Sequence, residues 1–322
     1  MKNVSLRAKS AAILFAIIIP FFFLTYFGGL TGKVVGVGFY LLFGAWATYE
    51  VIKWNKLNNF WNILIVIIGA LLWVFPMQWY SIDNLALNNT PFWITENRGL
   101  SIEQTIAIIK LILIKPDFYT NQFALSLSII FISISLIFLI NAKKFDRDPV
   151  LFLKSYFITI TSVLLIYLMS KLLFIYNVAS LYYLFCILII PIVCDTAAYF
   201  GGRLLGQKII KRKFSPRISP NKTWEGAITG YLAGALFVFI ALYLGKLTAN
   251  PTFTFLNNWK QFTVAVILLP AISITGDLWF SFIKRIIHIK DFSKLIPGHG
   301  GLMDRFDAVC FVSIATSLIL MI

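Results

Sequence analysis

Acidic side chains are scarce in this chain. It has 13 Asp and Glu against 28 Lys and Arg in 322 residues, with only 2 His and 3 Cys. Cys186, Cys194 and Cys310 have no metal-ligand spacing and lie in or next to apolar runs, where a thiol acts as a small core residue. Charged residues make up only 13% of the chain and hydrophobic ones 59%, with mean hydropathy +0.85. Such a balance excludes a soluble domain and predicts an all-α, polytopic integral membrane protein. The first apolar segment has no small-residue cleavage site and is followed by further spans, so it reads as a span and not a cleaved signal. The net charge of +15 fits anionic headgroups and the positive-inside rule better than nucleic acid.

Hydropathy predicts about nine transmembrane helices, near 10–31, 34–52, 59–79, 121–141, 151–170, 172–200, 225–245, 261–283 and 306–322. With the N-terminus in the cytoplasm, 21 of the 28 Lys and Arg fall on inside segments, which favours that orientation. The 80–120 region is the one sizeable outside segment, and its apolar run Thr105–Ile114 reads as interfacial. Spans before residue 190 are almost purely apolar apart from Glu50, whereas those after it carry acids or polar motifs. Residues 1–190 therefore read as a transmembrane scaffold and 191–322 as a catalytic transmembrane region.

Polar groups concentrate between Asp277 and Asp307. Five cations, four carboxylates and both histidines fall in these 31 residues, at the edge of apolar segments where each charge is costly to desolvate. Asp277, Ser281, Lys284 and His288 recur at helical spacing and would share one face. Asp304 and Asp307 would share a face of the next helix. Between them, Pro297-Gly298-His299-Gly300-Gly301 predicts a tight turn that exposes backbone amides. Facing carboxylates suit a hard cation such as Mg²⁺ that holds a polyphosphate. Glycine amides, Lys284, Arg285 and Arg305 suit the phosphates themselves. His299 reads either as a phosphate donor or as a turn residue, His288 as an interfacial helix residue, and Asp291 as a partner of Lys290 and Lys294.

Two further clusters precede this stretch. In Asp195-Thr196-Ala-Ala-Tyr199-Phe-Gly201-Gly202-Arg203, Asp195 and Tyr199 share a helix face and the glycines end the helix; Asp195 paired with Arg203 for structure is the alternative. In Ser215-Pro-Arg217-Ile-Ser219-Pro220-Asn221-Lys222-Thr223-Trp-Glu225-Gly226 the prolines predict a loop, with a helix starting near Asn221–Thr223. A helix N-terminus with Ser219, Thr223 and Lys222 beside it is an anion site. Glu225 reads either as part of this site or as a structural acid, dipole-compensating or capping-box.

Ser281-x-x-Lys284-Arg285-x4-Lys290-Asp291-x-Ser293-x-x-Ile296-Pro297-Gly298-His299-Gly300-Gly301-x-x-Asp304-Arg305-x-Asp307 resembles the signature of the phosphatidate cytidylyltransferases, or CDP-diacylglycerol synthases. The two upstream clusters resemble that family's other motifs, in the expected order. The likeness covers about 190–322, and earlier residues match only as hydrophobic spans. Two departures stand out: Ser293 where many members carry Gly, and a rather long basic loop over 203–217. The resemblance implies a helical, generally dimeric membrane enzyme with a cytosolic polar cavity. It would be a nucleotidyltransferase joining CTP and phosphatidic acid into CDP-diacylglycerol and pyrophosphate, with Mg²⁺ and a monovalent cation such as K⁺. By position Asp277 and Asp304 match its metal-binding acids, and Lys222, Ser219, Asp195 and Asp307 its substrate-site residues. The richness in Phe, Ile, Lys and Asn suggests an AT-rich genome and, with it, a bacterial inner membrane. A CTP-dependent lipid kinase, a CDP-archaeol synthase and an anionic-solute transporter are the competing readings.

Overall fold

The computed structural model describes residues 2–74, 99–113, 122–145, 148–248, 253, 256, 258–296 and 300–322. In chain order its helices are α1 (Lys2–Phe27), α2 (Gly29–Ile52), α3 (Asn59–Gly69), α4 (Leu71–Val74), α5 (Ile102–Leu113), α6 (Gln122–Ile140), α7 (Pro149–Ala179) and α8 (Leu181–Leu204). A small hairpin follows, β1 (Lys213–Ser215) and β2 (Ser219–Thr223), then α9 (Trp224–Leu247), α10 (Trp259–Ile286) and α11 (Met303–Ile319). Five helices, α2, α7, α8, α9 and α10, are long and apolar enough to cross a membrane, and Ala12–Phe27, Asn59–Trp73 and Ala124–Ile140 are shorter apolar stretches. The protein is all-α and polytopic, as its hydropathy predicts.

Two expected breaks move, each because a lysine sits inside a helix. The first turn falls at Gly28 and Gly29, the latter at φ +59°, and not around Lys33, which is 2% exposed within α2. The break expected at Lys171 is absent. α7 runs on to Ala179, and the Lys171 Nζ donates to the Leu72 carbonyl at 3.1 Å. The chain turns instead at Ser180, whose hydroxyl accepts from the Tyr182 amide at 3.1 Å and caps α8.

The chain divides into two compact units: Met1–Arg98, Ala107–Val178 and Asp291–Arg305 form the first, and Gly99–Ile106, Ala179–Lys290 and Phe306–Ile322 the second. In the first, α7 is the core helix, with Val163, Ile166, Tyr167 and Phe174 fully buried. Polar side chains tie it to its neighbours. Trp73 Nε1 donates to Ser170 Oγ at 2.8 Å, Tyr167 Oη to the Val66 carbonyl at 2.6 Å and Asn177 Nδ2 to Tyr40 Oη at 3.1 Å. Between apolar helices each such bond contributes on the order of 0.6 kcal/mol.

In the second unit α8 and α9 lie almost backbone to backbone. A Cβ on Gly226 would stand 2.7 Å from the Ala198 carbonyl oxygen, and one on Gly230 2.6 Å from that of Cys194. Gly234, one turn further, faces Cys194 Sγ, so small residues every fourth position make the seam. Gly201 and Gly202 belong to it as well. α8 does not end there as the sequence suggests but continues to Leu204, because Gly201 faces Thr229 with no room for a side chain. Gly276 plays the same part between α10 and α11, where a Cβ would sit 3.0 Å from that of Phe311.

Candidate active site

A cleft of about 440 Å³ opens in the second unit. α8 brings Asp195, Tyr199 and Arg203 to it, β2 brings Lys222, and α10 brings Asp277. The Lys222 Nζ pairs with Asp277 Oδ2, and Ser281 Oγ, one turn along α10, donates to Asp277 Oδ1 at 3.2 Å. The Lys222 and Asp277 side chains are 28% and 19% exposed, so the pair is reachable from the cleft. A cation–carboxylate pair of this kind can be opened by a ligand that supplies both charges: a phosphate for the ammonium and a metal for the carboxylate.

A second pair lies nearby and is more buried. Lys284 Nζ stands 3.9 Å from Asp307 Oδ2, and Asp307 Oδ1 accepts from the Ala308 amide at 2.7 Å. Asp307 is within electrostatic range of both Asp277 and Asp195. The second unit therefore assembles three carboxylates with two lysines. The expected shared face of α10 holds for Asp277, Ser281 and Lys284. It fails for His288, because α10 ends at Ile286 and His288 lies beyond it in a left-handed conformation, φ +56°.

The loop expected before α9 is a hairpin. Lys213 pairs with Thr223 and Ser215 with Ser219, so Ser219 to Thr223 are extended and the helix begins only at Trp224. Strand pairing and the β-branched Thr223 hold this stretch out of the helix. The Thr223 hydroxyl accepts from the Gly226 amide at 3.1 Å and is thus the N-cap. Glu225 is no capping-box acid: it stands in the first turn of α9, where its charge meets the helix dipole, and its Oε1 accepts from the Ile209 and Ile210 amides at 3.1 and 2.8 Å, fastening the basic loop. Arg285 Nε donates to the Ile218 carbonyl at 3.0 Å, so its guanidinium joins the end of α10 to the hairpin tip.

The glycine-rich part of the signature belongs to the first unit. Ile296 and Gly300 exchange backbone hydrogen bonds of 2.8 and 3.1 Å, and Gly300 sits at φ +86°, where a Cβ would also stand 2.9 Å from Asp304 Oδ2. That oxygen accepts from the Phe292 and Gly301 amides at 2.8 and 2.9 Å. Asp304 therefore shapes the loop besides any role toward a ligand. Arg305 is exposed in the first turn of α11. Pro297, Gly298 and His299 lie outside the described residues.

Sequence reasoning passed over Glu50. Its carboxylate is 2% exposed, accepts from Ser293 Oγ, and through Oε2 accepts from the Met303 amide at 2.7 Å. Gly301 packs so closely on it that a Cβ there would overlap the carboxylate. The available signal was that Glu50 is the one acid in an otherwise apolar span.

Among the described residues no group of three His, Cys, Asp or Glu side chains forms a ready metal site. The donors nevertheless fit a hard divalent cation. Asp277 is a cleft carboxylate whose partners are an ammonium and a hydroxyl, with Asp195 lining the same cleft.

Fold and cleft together define a multi-pass, all-helical membrane protein with a polar site of acids and lysines. The chain belongs to the Cytidylyltransferase family, whose sequence profile matches residues 8–322. It is 38% identical over 130 residues to a phosphatidate cytidylyltransferase of Haemophilus influenzae, covering 40% of this chain and 42% of that protein. It is 40% identical over 126 residues to one of Helicobacter pylori, covering 39% and 42%. With one of Brucella suis the identity is 44% over 115 residues, covering 36% and 38%. The chain thus spans about two fifths of the length of the curated relatives it matches.

Proposed function

We propose that this chain is a phosphatidate cytidylyltransferase, moving the cytidylyl group of CTP onto phosphatidate to give CDP-diacylglycerol and pyrophosphate. The observation that carries the reading is the Lys222–Asp277–Ser281 cluster facing a cleft shared with Asp195 and Arg203, in a chain of the Cytidylyltransferase family. A phosphatidate oxygen attacks the α-phosphorus in line, the bond to the β-phosphate oxygen breaks, and that oxygen leaves with pyrophosphate. The phosphatidate phosphate is already largely ionised, so the protein's work is positioning and charge neutralisation. Lys222 and Arg203 line the cleft where they meet triphosphate or lipid phosphate. Lys284 offsets Asp307 and its neighbouring acids. Ser281 orients Asp277.

Asp277 would hold Mg²⁺, which when bound neutralises charge on the triphosphate. The sequence resemblance assigns Asp304 to the metal as well and adds K⁺ as a second cation; Arg305 and His299 are phosphate contacts by their residue chemistry. A scaffold at 1–190, a catalytic region at 191–322, a homodimer, a bacterial inner membrane and a cytoplasm-facing cleft complete the reading. The basic residues gathered on the expected inside segments support that orientation.

Purified protein with phosphatidate, Mg²⁺ and CTP labelled separately at the α- and γ-phosphates tests the reaction. The α-label should enter lipid and the γ-label should leave as pyrophosphate. Entry of γ-label into lipid would mean a kinase and overturn the reading.

A further inference from the structure

Residues 204–217, between α8 and α9 in the second unit, carry charge that the cleft chemistry does not use. Lys208, Lys211, Arg212, Lys213 and Arg217 fall within ten residues that hold no acid. All five are exposed, and none is ion-paired among the described residues. Glu225, the nearest acid in sequence, is buried and engaged with the Ile209 and Ile210 amides. The loop is folded all the same. Glu225 fastens one part of it, and the pairing of β1 with β2 fastens the other. Like charges held together without a counter-charge repel, and an anionic surface relieves that repulsion.

The loop's position names the partner. α8 and α9 are each 24 residues long, about 36 Å at 1.5 Å per residue, against a hydrocarbon core of about 30 Å. Both helices therefore reach the headgroup layer, and the loop that joins them lies against it. Trp224, the first residue of α9, is exposed and sets its ring edge-on to Phe214 at 4.8 Å, a side chain typical of that depth. Leu204, Leu205 and Ile209 are exposed among the cations, Ile209 by 76%. Apolar tips between cations are the pattern of a segment that lies on an anionic bilayer, with the tips in the boundary and the charges at the phosphates. A soluble anion would leave Ile209 in water. Charge that only sets topology needs neither the fold nor the apolar tips. The surface also adjoins the cleft, because Lys213 lies opposite Thr223 across the hairpin, and Thr223 and Lys222 line the cleft.

We propose that residues 204–217 form a docking surface for anionic headgroups of the surrounding bilayer, and that this surface holds phosphatidate at the mouth of the cleft. The second clause rests on the reading of the activity given above; the first does not.

Two measurements on the full chain test it. In nanodiscs, electron paramagnetic resonance compares how strongly the protein immobilises spin-labelled phosphatidylglycerol, an anionic lipid that is no substrate in the proposed reaction, and spin-labelled phosphatidylcholine. The anionic lipid should be preferred. Lys211→Gln/Arg212→Gln/Lys213→Gln should lower that preference by about fivefold or more, the worth of one cation at an anionic surface. Lys143→Gln/Lys144→Gln, a basic pair after α6, should leave it unchanged. Salt near 1 M, where the screening length is about 3 Å, should erase it. In the α-label assay the triple variant should raise KM for phosphatidate by about fivefold or more and keep kcat. If that variant fails to fold, Lys208→Gln/Arg217→Gln takes its place with the same expectations. A preference that survives the loop variant or the salt, or that both variants lower equally, would mean general boundary lipid and overturn the proposal. Lost preference with unchanged KM would overturn the link to the cleft. A loop-dependent preference in a wild type that transfers no cytidylyl group would sink the activity reading and leave the docking surface standing.

Discussion

Glu50 Oε2 accepts a hydrogen bond of 2.7 Å from the amide of Met303, 253 positions later in the chain. Met303 is the first residue of α11, so the carboxylate supplies both a partner for an otherwise orphaned amide and a negative charge at a helix N-terminus. Glu50→Ala should lower stability by about 1–3 kcal/mol, the cost of a buried unsatisfied donor. Glu50→Gln, which keeps an acceptor and gives Ser293 a donor, should recover most of it. Thermal unfolding in detergent measures both, and equal losses in the two variants would show that the charge and not the hydrogen bond matters.

Asp277 and Asp304 should separate when each is cut to Ala. The partners of Asp277 are side chains that face a cleft and rehydrate, so Asp277→Ala should fold normally while transfer falls by roughly 10²–10³-fold or more. Asp304 also holds the Phe292 and Gly301 amides, so Asp304→Ala should lose about 1–3 kcal/mol of stability in addition. Unfolding curves beside the α-label assay give the two quantities. Near-normal transfer by Asp277→Ala would remove it from the site.

The seam between α8 and α9 predicts a sharp size limit. Gly230→Leu drives a side chain into the Cys194 carbonyl and should cost at least about 1–3 kcal/mol. Gly38→Ala, which enters open space in α2, should be neutral or stabilising by roughly 0.5–1 kcal/mol. Yield and unfolding temperature after extraction compare the pair.

Glu225 should govern how firmly the basic loop is held. Glu225→Ala frees the Ile209 and Ile210 amides, and trypsin should then cut at Lys208, Lys211 and Arg212 faster than in the parent. An unchanged cleavage rate would show that the hairpin alone fixes the loop.

Much of this site is local and so was legible in the chain. Asp277 and Ser281 are one helical turn apart, and their hydrogen bond follows from spacing. The membrane class follows from hydropathy alone. Long-range partners were not legible: Lys222 reaches Asp277 across 55 positions only because residues 213–223 fold as a hairpin, and their prolines mask that. Glu50 is surrounded in sequence by apolar residues, and its partners lie more than two hundred positions away. Lys33 and Lys171 misled the span boundaries because a lysine inside a packed helix is spelled the same as one in a loop. Gly201 and Gly202 look like a helix stop, and only the closeness of Thr229 to the first and of Thr223 and Gly226 to the second explains why they are not.

The glycine seam also constrains traffic. At Gly226, Gly230 and Gly234 the two helices leave no gap wider than an atom, so no hydrocarbon tail can slip between α8 and α9. Over Gly226–Gly234 that wall of the cleft is closed. In the proposed reaction a lipid bound for Asp277 has to go round the helix pair, and widening the seam by mutation would open a leak and not a door.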